Sequence, residues 1–529
     1  MLLTVLVAPT RAQIGGGASN VGGGTSTSSS GGVTPAQLIP GGSPTYLAKS
    51  CPSGATNCFV VNDDVQYAYS VTCNSNTTIV TGANDPPFVA GDVGKIIVGI
   101  QGAGTTANCP PQTTITGFTD AHTVTVANAA TITGSSGQLG WGHNDGAQIA
   151  AAFAASLGVG CLYLPSGAMF FDVPPFLDTR SVGVAEGPVD CVLGSNTLLT
   201  PLQTFNYANC VSNGACVFTW PNAPFENPNY AVLKNFTILG IGSKGFALTG
   251  TGTTNSVLHL QRVSLDNVWV WHWGTSIGIG ADMTGPMSAF NLNIDNTGSS
   301  SNCTANGTGG NQTITLYSPF CGEGGQALNV GAGAFLNSYG GQWGPGGAPN
   351  TIVNGNWTAY GDVIFAATSA NADSIRVGAA GTAVLDSTQV IGGTGNTFGA
   401  INCNNSGGNV QLRGNTVIDG GSGGVAMKSV AGCNINNQSG GLAKVTRGTF
   451  SLSGNNIGQP SETQTGTCSG NAATVTFKYV YSQNPLVLVS DTTSASTGAQ
   501  ATSTNTTTAT IHCNGATDTF VATVIPNPI

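Results

Sequence analysis

With 529 residues the chain is long enough for about two to four domains and a sizeable core. Only 7% of its residues are charged, against roughly 25% in an average soluble protein, yet 40% are hydrophobic, which excludes disorder as the ground state. The net charge of −9, with 13 lysines and arginines and no basic run, excludes nucleic acid and anionic membrane as partners, because both need a positive footprint.

The chain starts "MLLTVLVAPTRAQ", an apolar stretch followed by small residues, which reads as a signal-like segment over 1–12 with cleavage after Ala12. It lacks a basic leader. No run of about 18 apolar residues follows anywhere, so no membrane-spanning helix is expected. Residues 13–45 are Gly/Ser-rich and read as a linker. From 46 to 140 an N-terminal β-module is expected, built on stretches such as "FVAGDVGKIIVGIQGAG" and "QTTITGFTDAHTVTVANAA".

Next comes "GWGHNDGAQIAAAFAASLGVGCLYLPSGAMFFD" over 140–172. Asn144 or Asp145 can cap a short helix, Ile149, Phe153 and Leu157 form one apolar stripe, and Gly158 and Gly160 stop it. The helix is expected to lie over the open end of a β-structure. Residues 141–460 then repeat a strand, a polar corner and a second strand, as in "VLKNFTILG", "VSLDNVWVW", "NLNIDNTG", "AVLDSTQVIGG" and "VQLRGNTVIDGG". Aligning Asn235, Asn267 and Asn296 gives spacings of 32 and 29, and Asp386 and Gly414 lie 28 apart. No copy closes a core alone, but stacked copies do, as coils of a right-handed parallel β-helix. Residues 461–529 read as a small C-terminal β-domain of hairpins. The fold class is therefore all-β, with one capping helix.

The 14 cysteines pair plausibly with their neighbours, as 51–58, 73–109, 161–191, 210–216, 303–321, 403–433 and 468–513. Disulfides imply an oxidising compartment, hence a secreted or cell-surface protein. No CxxC occurs and histidines number 5, so neither a metal site nor a cofactor is expected.

The run from "FVAGDVGKIIVGIQGAG" through "HNDGAQIAAAFAASLGVGCLYLPSGAMFF" resembles the region that leads into the coils of the pectate-lyase-like superfamily. There an aspartate-rich turn, a capping helix and a "YxPxG" strand precede the β-helix. Here "YLPSG" is Tyr163–Gly167, and Asn144–Asp145 stands where the family shows two aspartates. The resemblance is specific over 88–172 and implies a right-handed parallel β-helix, as in secreted polysaccharide-active proteins and phage tailspikes. It implies no activity, since one fold hosts many. The Gly-His-Gly and Arg-x-Lys motifs of polygalacturonase-type members are absent: His143, His259 and His272 have other neighbours, and "SIRVG" around Arg376 lacks the lysine. The paired arginines of calcium-dependent lyases are also missing, so no catalytic residue carries over.

The candidate site centres on "VSLDNVWVWHWGTS", residues 263–276. A corner at Asp266–Asn267 resets the alternation, so that Val263, Leu265, Val268 and Val270 face inward and Trp269, Trp271 and Trp273 outward. Packing favours small aliphatics in a narrow bore, which is why the indoles are expected outside. Outside, they serve either as packing under a loop or between chains, or as a platform on which pyranose rings stack, with Arg262 beside them. Hydrolysis needs two carboxylates roughly 5–9.5 Å apart. Asp266, Asp295 one copy later and Glu323 in "FCGEGG" are the candidates, with corner capping as the alternative role. The expected partner is a polysaccharide on the lateral face, bound and, as a further option, cleaved by a hydrolase or lyase reaction. The competing expectation is a non-catalytic surface adhesin or tailspike-like receptor-binding protein, with a terminal module that adheres or forms a homotrimer.

Overall fold

The computed structural model describes residues 44–525 except 102–109, 131–132, 158, 178–190, 206–214, 220–230, 241–255, 262, 272–278, 296–300, 308–312, 323–325, 348, 368–371, 438–443, 448, 453–461, 478–484, 493–499, 506 and 514–516. The signal-like segment 1–12, nearly all of the linker 13–45, Arg262, Trp273 and Glu323 lie outside the described residues.

Most of the molecule is a right-handed parallel β-helix. One face stacks, in parallel register, the strands Cys191–Pro201, Ala231–Leu239, Val263–Trp271 and Met287–Asp295. It continues through Thr313–Tyr317, Phe335–Tyr339, Asn356–Tyr360, Thr382–Asp386, Asn409–Arg413 and Asn434–Asn437. A second face is a separate 11-stranded sheet running from Phe176–Leu177 to Thr449–Leu452. Each coil leaves one sheet and enters the other, so the two sheets enclose a shared bore. Leu233, Leu265, Leu292, Ile294, Ile314 and Leu316, fully buried, fill part of it. Burying each such side chain contributes about 1.5–3 kcal/mol.

The corner on the first face has a fixed backbone signature. Asn235, Asn267, Asn291, Ser318, Gly340, Gly361, Ser387 and Gly414 all have positive φ, between 48° and 65°, and they stack on one another in successive coils. Asparagine and glycine enter this left-handed region at low cost. The corner after Asn267 is therefore Asn291, not Asn296, and Asp386 is matched by Arg413 rather than Gly414. Sequence alignment on turn residues erred there because only backbone conformation distinguishes a corner asparagine from one elsewhere in a loop.

The expectation that the bore excludes indoles is also corrected. Trp343 and Trp357 are fully buried within it, edge to face, with centroids 5.8 Å apart and planes at 84°. Small residues make the room: Ser338 and Ala359 lie beside them, and Ala383 follows Trp357 in register. Each indole N–H is satisfied. Trp357 Nε1 donates to Ser338 Oγ at 2.9 Å and Trp343 Nε1 to Asp362 Oδ2 at 2.8 Å.

Residues 46–60, assigned by sequence to the N-terminal module, and Thr45, assigned to the linker, join the β-helix instead. Thr45–Ala48 pairs in parallel with Cys58–Val60 and with Cys161–Tyr163. The module itself is a closed antiparallel barrel of Gln66–Asn74, Thr78–Val80, Thr123–Val126, Thr113–Asp120, Ile96–Gln101 and Thr133–Gly142. The helix spans Gly146–Ser156 and buries Ile149 and Phe153 on one face, as its spacing predicts. Asp145 begins it without a side-chain cap bond. Its buried carboxylate instead accepts from Asn62 N, Asn62 Nδ2 and Asp63 N, tying the first coil to the helix start. The C-terminal segment forms two three-stranded antiparallel sheets.

Disulfides join 51–58, 161–191, 303–321, 403–433 and 468–513, as neighbour pairing predicts. Cys73 is also disulfide-bonded. Cys109, Cys210 and the side chain of Cys216 lie outside the described residues.

Candidate functional site: an aromatic edge on the lateral face

The strand Val263–Trp271 alternates as its sequence implies, with the reset at Asn267. Val263, Leu265, Val268 and Val270 are fully buried, whereas Ser264, Asp266, Trp269 and Trp271 are partly exposed. The corner does this because one residue of positive φ breaks the two-residue period. Trp269 and Trp271 lie with centroids 4.8 Å apart and planes inclined at 46°. Trp271 Nε1 donates to Asn293 Oδ1 on the next coil at 3.3 Å.

Asp266 sits opposite Phe290 in the register, and Asp295 opposite Trp271. The two carboxylates thus occupy different columns. Asp295 lies five residues beyond Phe290 and across the Asn291 corner from it, so the two carboxylates stand on different flanks of that corner. Asp266 Oδ2 instead meets Lys234 Nζ at 2.6 Å on the preceding coil, both side chains about 44% exposed. Among the described residues no group of three or more histidines, cysteines, aspartates and glutamates could hold a metal.

A second aromatic feature of this face is not apparent from local sequence spacing. Following Asp266 along its column, the register places Phe290, Tyr317, Tyr339 and Tyr360 at the same outward position on four successive coils. They are 47%, 37%, 36% and 36% exposed. Their rings stack almost parallel: 4.5 Å and 9° for Phe290–Tyr317, 5.1 Å and 15° for Tyr317–Tyr339, 4.8 Å and 5° for Tyr339–Tyr360. These spacings are those of neighbouring parallel strands, so the coil pitch itself sets the stack. Each contact is worth about 0.5–1.5 kcal/mol beyond burial. The Tyr339 phenol is held above its usual pKa, first by desolvation and then by the phenols of Tyr360 and Tyr317 on either side.

A sequence signal for this ladder exists. Each ring immediately precedes a corner residue, in "AFN", "LYS", "SYG" and "AYG". With the faces turned to one another, the ladder offers solvent a row of ring rims. Trp269 and Trp271 lie on the other side of the same corner, so the aromatic surface wraps one edge of the solenoid. Asp386 and Arg413 continue the ladder's column beyond Tyr360.

No protein-family model matches the sequence, and no curated protein matches it. Among solved structures, the tailspike of Pseudomonas phage phi297 covers 88% of this chain and 82% of its own, at 10% identity and a TM-score of 0.27. The tailspike of Acinetobacter baumannii bacteriophage AP22, solved with a capsular saccharide, covers 88% and 83%, at 9% identity and a TM-score of 0.33. The A-module of a mannuronan C-5 epimerase from Azotobacter vinelandii covers 60% and 93%, at 14% identity and a TM-score of 0.25. The strand register by itself establishes the winding: the chain is a parallel β-helix protein.

Proposed function

We propose that this chain is an exported carbohydrate-binding protein that holds a polysaccharide against the aromatic edge formed by Trp269, Trp271 and the Phe290–Tyr360 ladder. The observation that carries this reading is the continuous exposed aromatic column across four coils. Exposed aromatic surface of this extent, on a chain with few charges, fits a partner rich in hydroxyls and apolar C–H groups. The tilted tryptophans supply faces on which a pyranose ring can lie, and the disulfides suit an oxidising, extracellular setting.

Binding is better supported than cleavage. Asp266 is engaged by Lys234, and the register separates it from Asp295. The test is a panel of pectic, bacterial and neutral polysaccharides, followed for binding, new reducing ends and the absorbance of unsaturated products. Binding with neither product is the expected result. Trp271→Ala should weaken that binding about tenfold, roughly 1.4 kcal/mol, with the melting temperature nearly unchanged. Failure of every polymer to bind, or full affinity in a folded Trp271→Ala/Tyr339→Ala double variant, would refute the reading.

A further inference from the structure

We infer that the ligand of the ladder is an uncharged glycan laid parallel to the solenoid axis, meeting one ring per coil. This rests on the carbohydrate-binding reading above and adds the charge class and direction of the chain. The first observation is electrostatic. On the coils carrying Phe290, Tyr317, Tyr339 and Tyr360, the outward positions two residues earlier are Ser288, Thr315, Asn337 and Thr358. Across the corner, the outward positions are Asn293, Phe320, Gln342 and Val363. None of these twelve side chains is charged. The charges on this edge lie outside that patch, as the Lys234–Asp266 pair before it, as Asp386 and Arg413 after it, and as Asp295, two residues past Asn293 and opposite Trp271.

A polyuronate laid on this stretch would bring one carboxylate per sugar against ring rims with no cation among the twelve described side chains to meet it. Desolvating an anion without a partner is costly. A neutral chain meets no such penalty, and its hydroxyls find half-buried hydroxyl and amide groups alongside the rings, each able to donate and accept.

The second observation is periodicity. Ring spacings of 4.5, 5.1 and 4.8 Å repeat along the axis, and the polar column repeats with them. A polymer running along the axis, with a repeat of similar length, makes the same contact coil after coil. One crossing the axis would touch a single ring. Because the ring faces are consumed by mutual stacking, the ladder contributes rims and phenol hydroxyls, and the tilted tryptophans provide the face.

The test uses the full chain, titrated with neutral cello- and manno-oligosaccharides of two to eight units and with oligogalacturonates and oligomannuronates of equal length, at low and high salt. The expected result is preference for a neutral series, affinity rising with length to about four or five units, the span of four coils, and little salt dependence. Tyr339→Ala should weaken that binding at least about fivefold and Tyr339→Phe less, since the latter keeps the stack and loses only the hydroxyl. Matching melting temperatures would show that both variants fold. Preference for an acidic series, or neutral binding that ignores length and Tyr339 but is lost in Trp271→Ala, would overturn this inference and leave carbohydrate binding standing. Absence of binding by every oligomer and every polymer of the panel would overturn both.

Discussion

Asp362 is a carboxylate buried against the Trp343 indole. It is buried beneath the ladder, one residue after the corner glycine that follows Tyr360, and accepts from Ser338 Oγ, Gly341 N and Trp343 Nε1. Its neighbours in register, Thr388 and Thr416, answer the same position with hydroxyls that donate back to the carbonyls of Ala359 and Leu385. Asp362 departs from that pattern on the coil where buried Trp343 needs an acceptor. Desolvation holds its carboxyl above the usual value despite the three donors, and burial raises Asp373 similarly. A carboxyl whose pKa is higher folded than unfolded stabilises the fold fully below its ordinary pKa, and that contribution is lost as pH rises through the folded value. Asp64, held low by Lys95 and His143 against its own burial, and Asp419, held low by Arg447, act in the opposite sense, but only below the ordinary carboxylate range. Acidification from pH 7 to about pH 4 should therefore raise the melting temperature. Asp362→Asn should show a smaller rise across the same interval, measured by calorimetry at matched concentrations. An unchanged pH slope in that variant would show that Asp362 does not titrate in this range.

At the scale of the element, the corner decides which face every following side chain takes. Gly361 adopts φ of 64° and has nothing within 4 Å of where a Cβ would stand, so its requirement is conformational rather than steric. Asparagine occupies the equivalent corner in four earlier coils, as Asn196, Asn235, Asn267 and Asn291, and the Asn267 amide donates to Asn235 Oδ1 at 3.4 Å. Gly361→Asn should therefore cost less than about 1 kcal/mol, whereas Gly361→Val, β-branched in the left-handed region, should cost about 2 kcal/mol. Urea denaturation checks both, and equal losses would mean that the corner tolerates any side chain. The amino-acid sequence made the Asn267 corner legible because Asp266–Asn267 stands between two runs of alternating aliphatics. It obscured the later ones, where serine or glycine takes the place and asparagines abound in loops.

For the whole molecule, each coil contacts chiefly its immediate neighbours, so stability is close to a sum of coil and interface contributions. Central coils have two such interfaces, and those around Phe335–Tyr339 and Asn356–Tyr360 add the ring stack and the buried Trp343–Trp357 pair. Their amides should exchange with solvent more slowly than those of Asn434–Asn437, near the last described coil of that face. Hydrogen exchange resolved by peptide would reveal it, and uniform protection along the axis would mean that the solenoid opens as one unit.

Local chemistry was enough to determine several features without coordinates. They were the all-β winding, the short helix over its end, the five neighbour disulfides described above and the outward turn of Trp269 and Trp271. Each depends on residues close in the chain: alternation, an apolar stripe, neighbouring cysteines, one corner. Only the tertiary structure decided what depends on register between coils. It set Asp266 against Lys234 and apart from Asp295, drew two other tryptophans into the bore, and aligned Phe290, Tyr317, Tyr339 and Tyr360 into one ladder. Coil lengths vary because loops of different size leave the solenoid, so no constant sequence spacing reveals which side chains share a column. The backbone hydrogen bonds between coils fix that register.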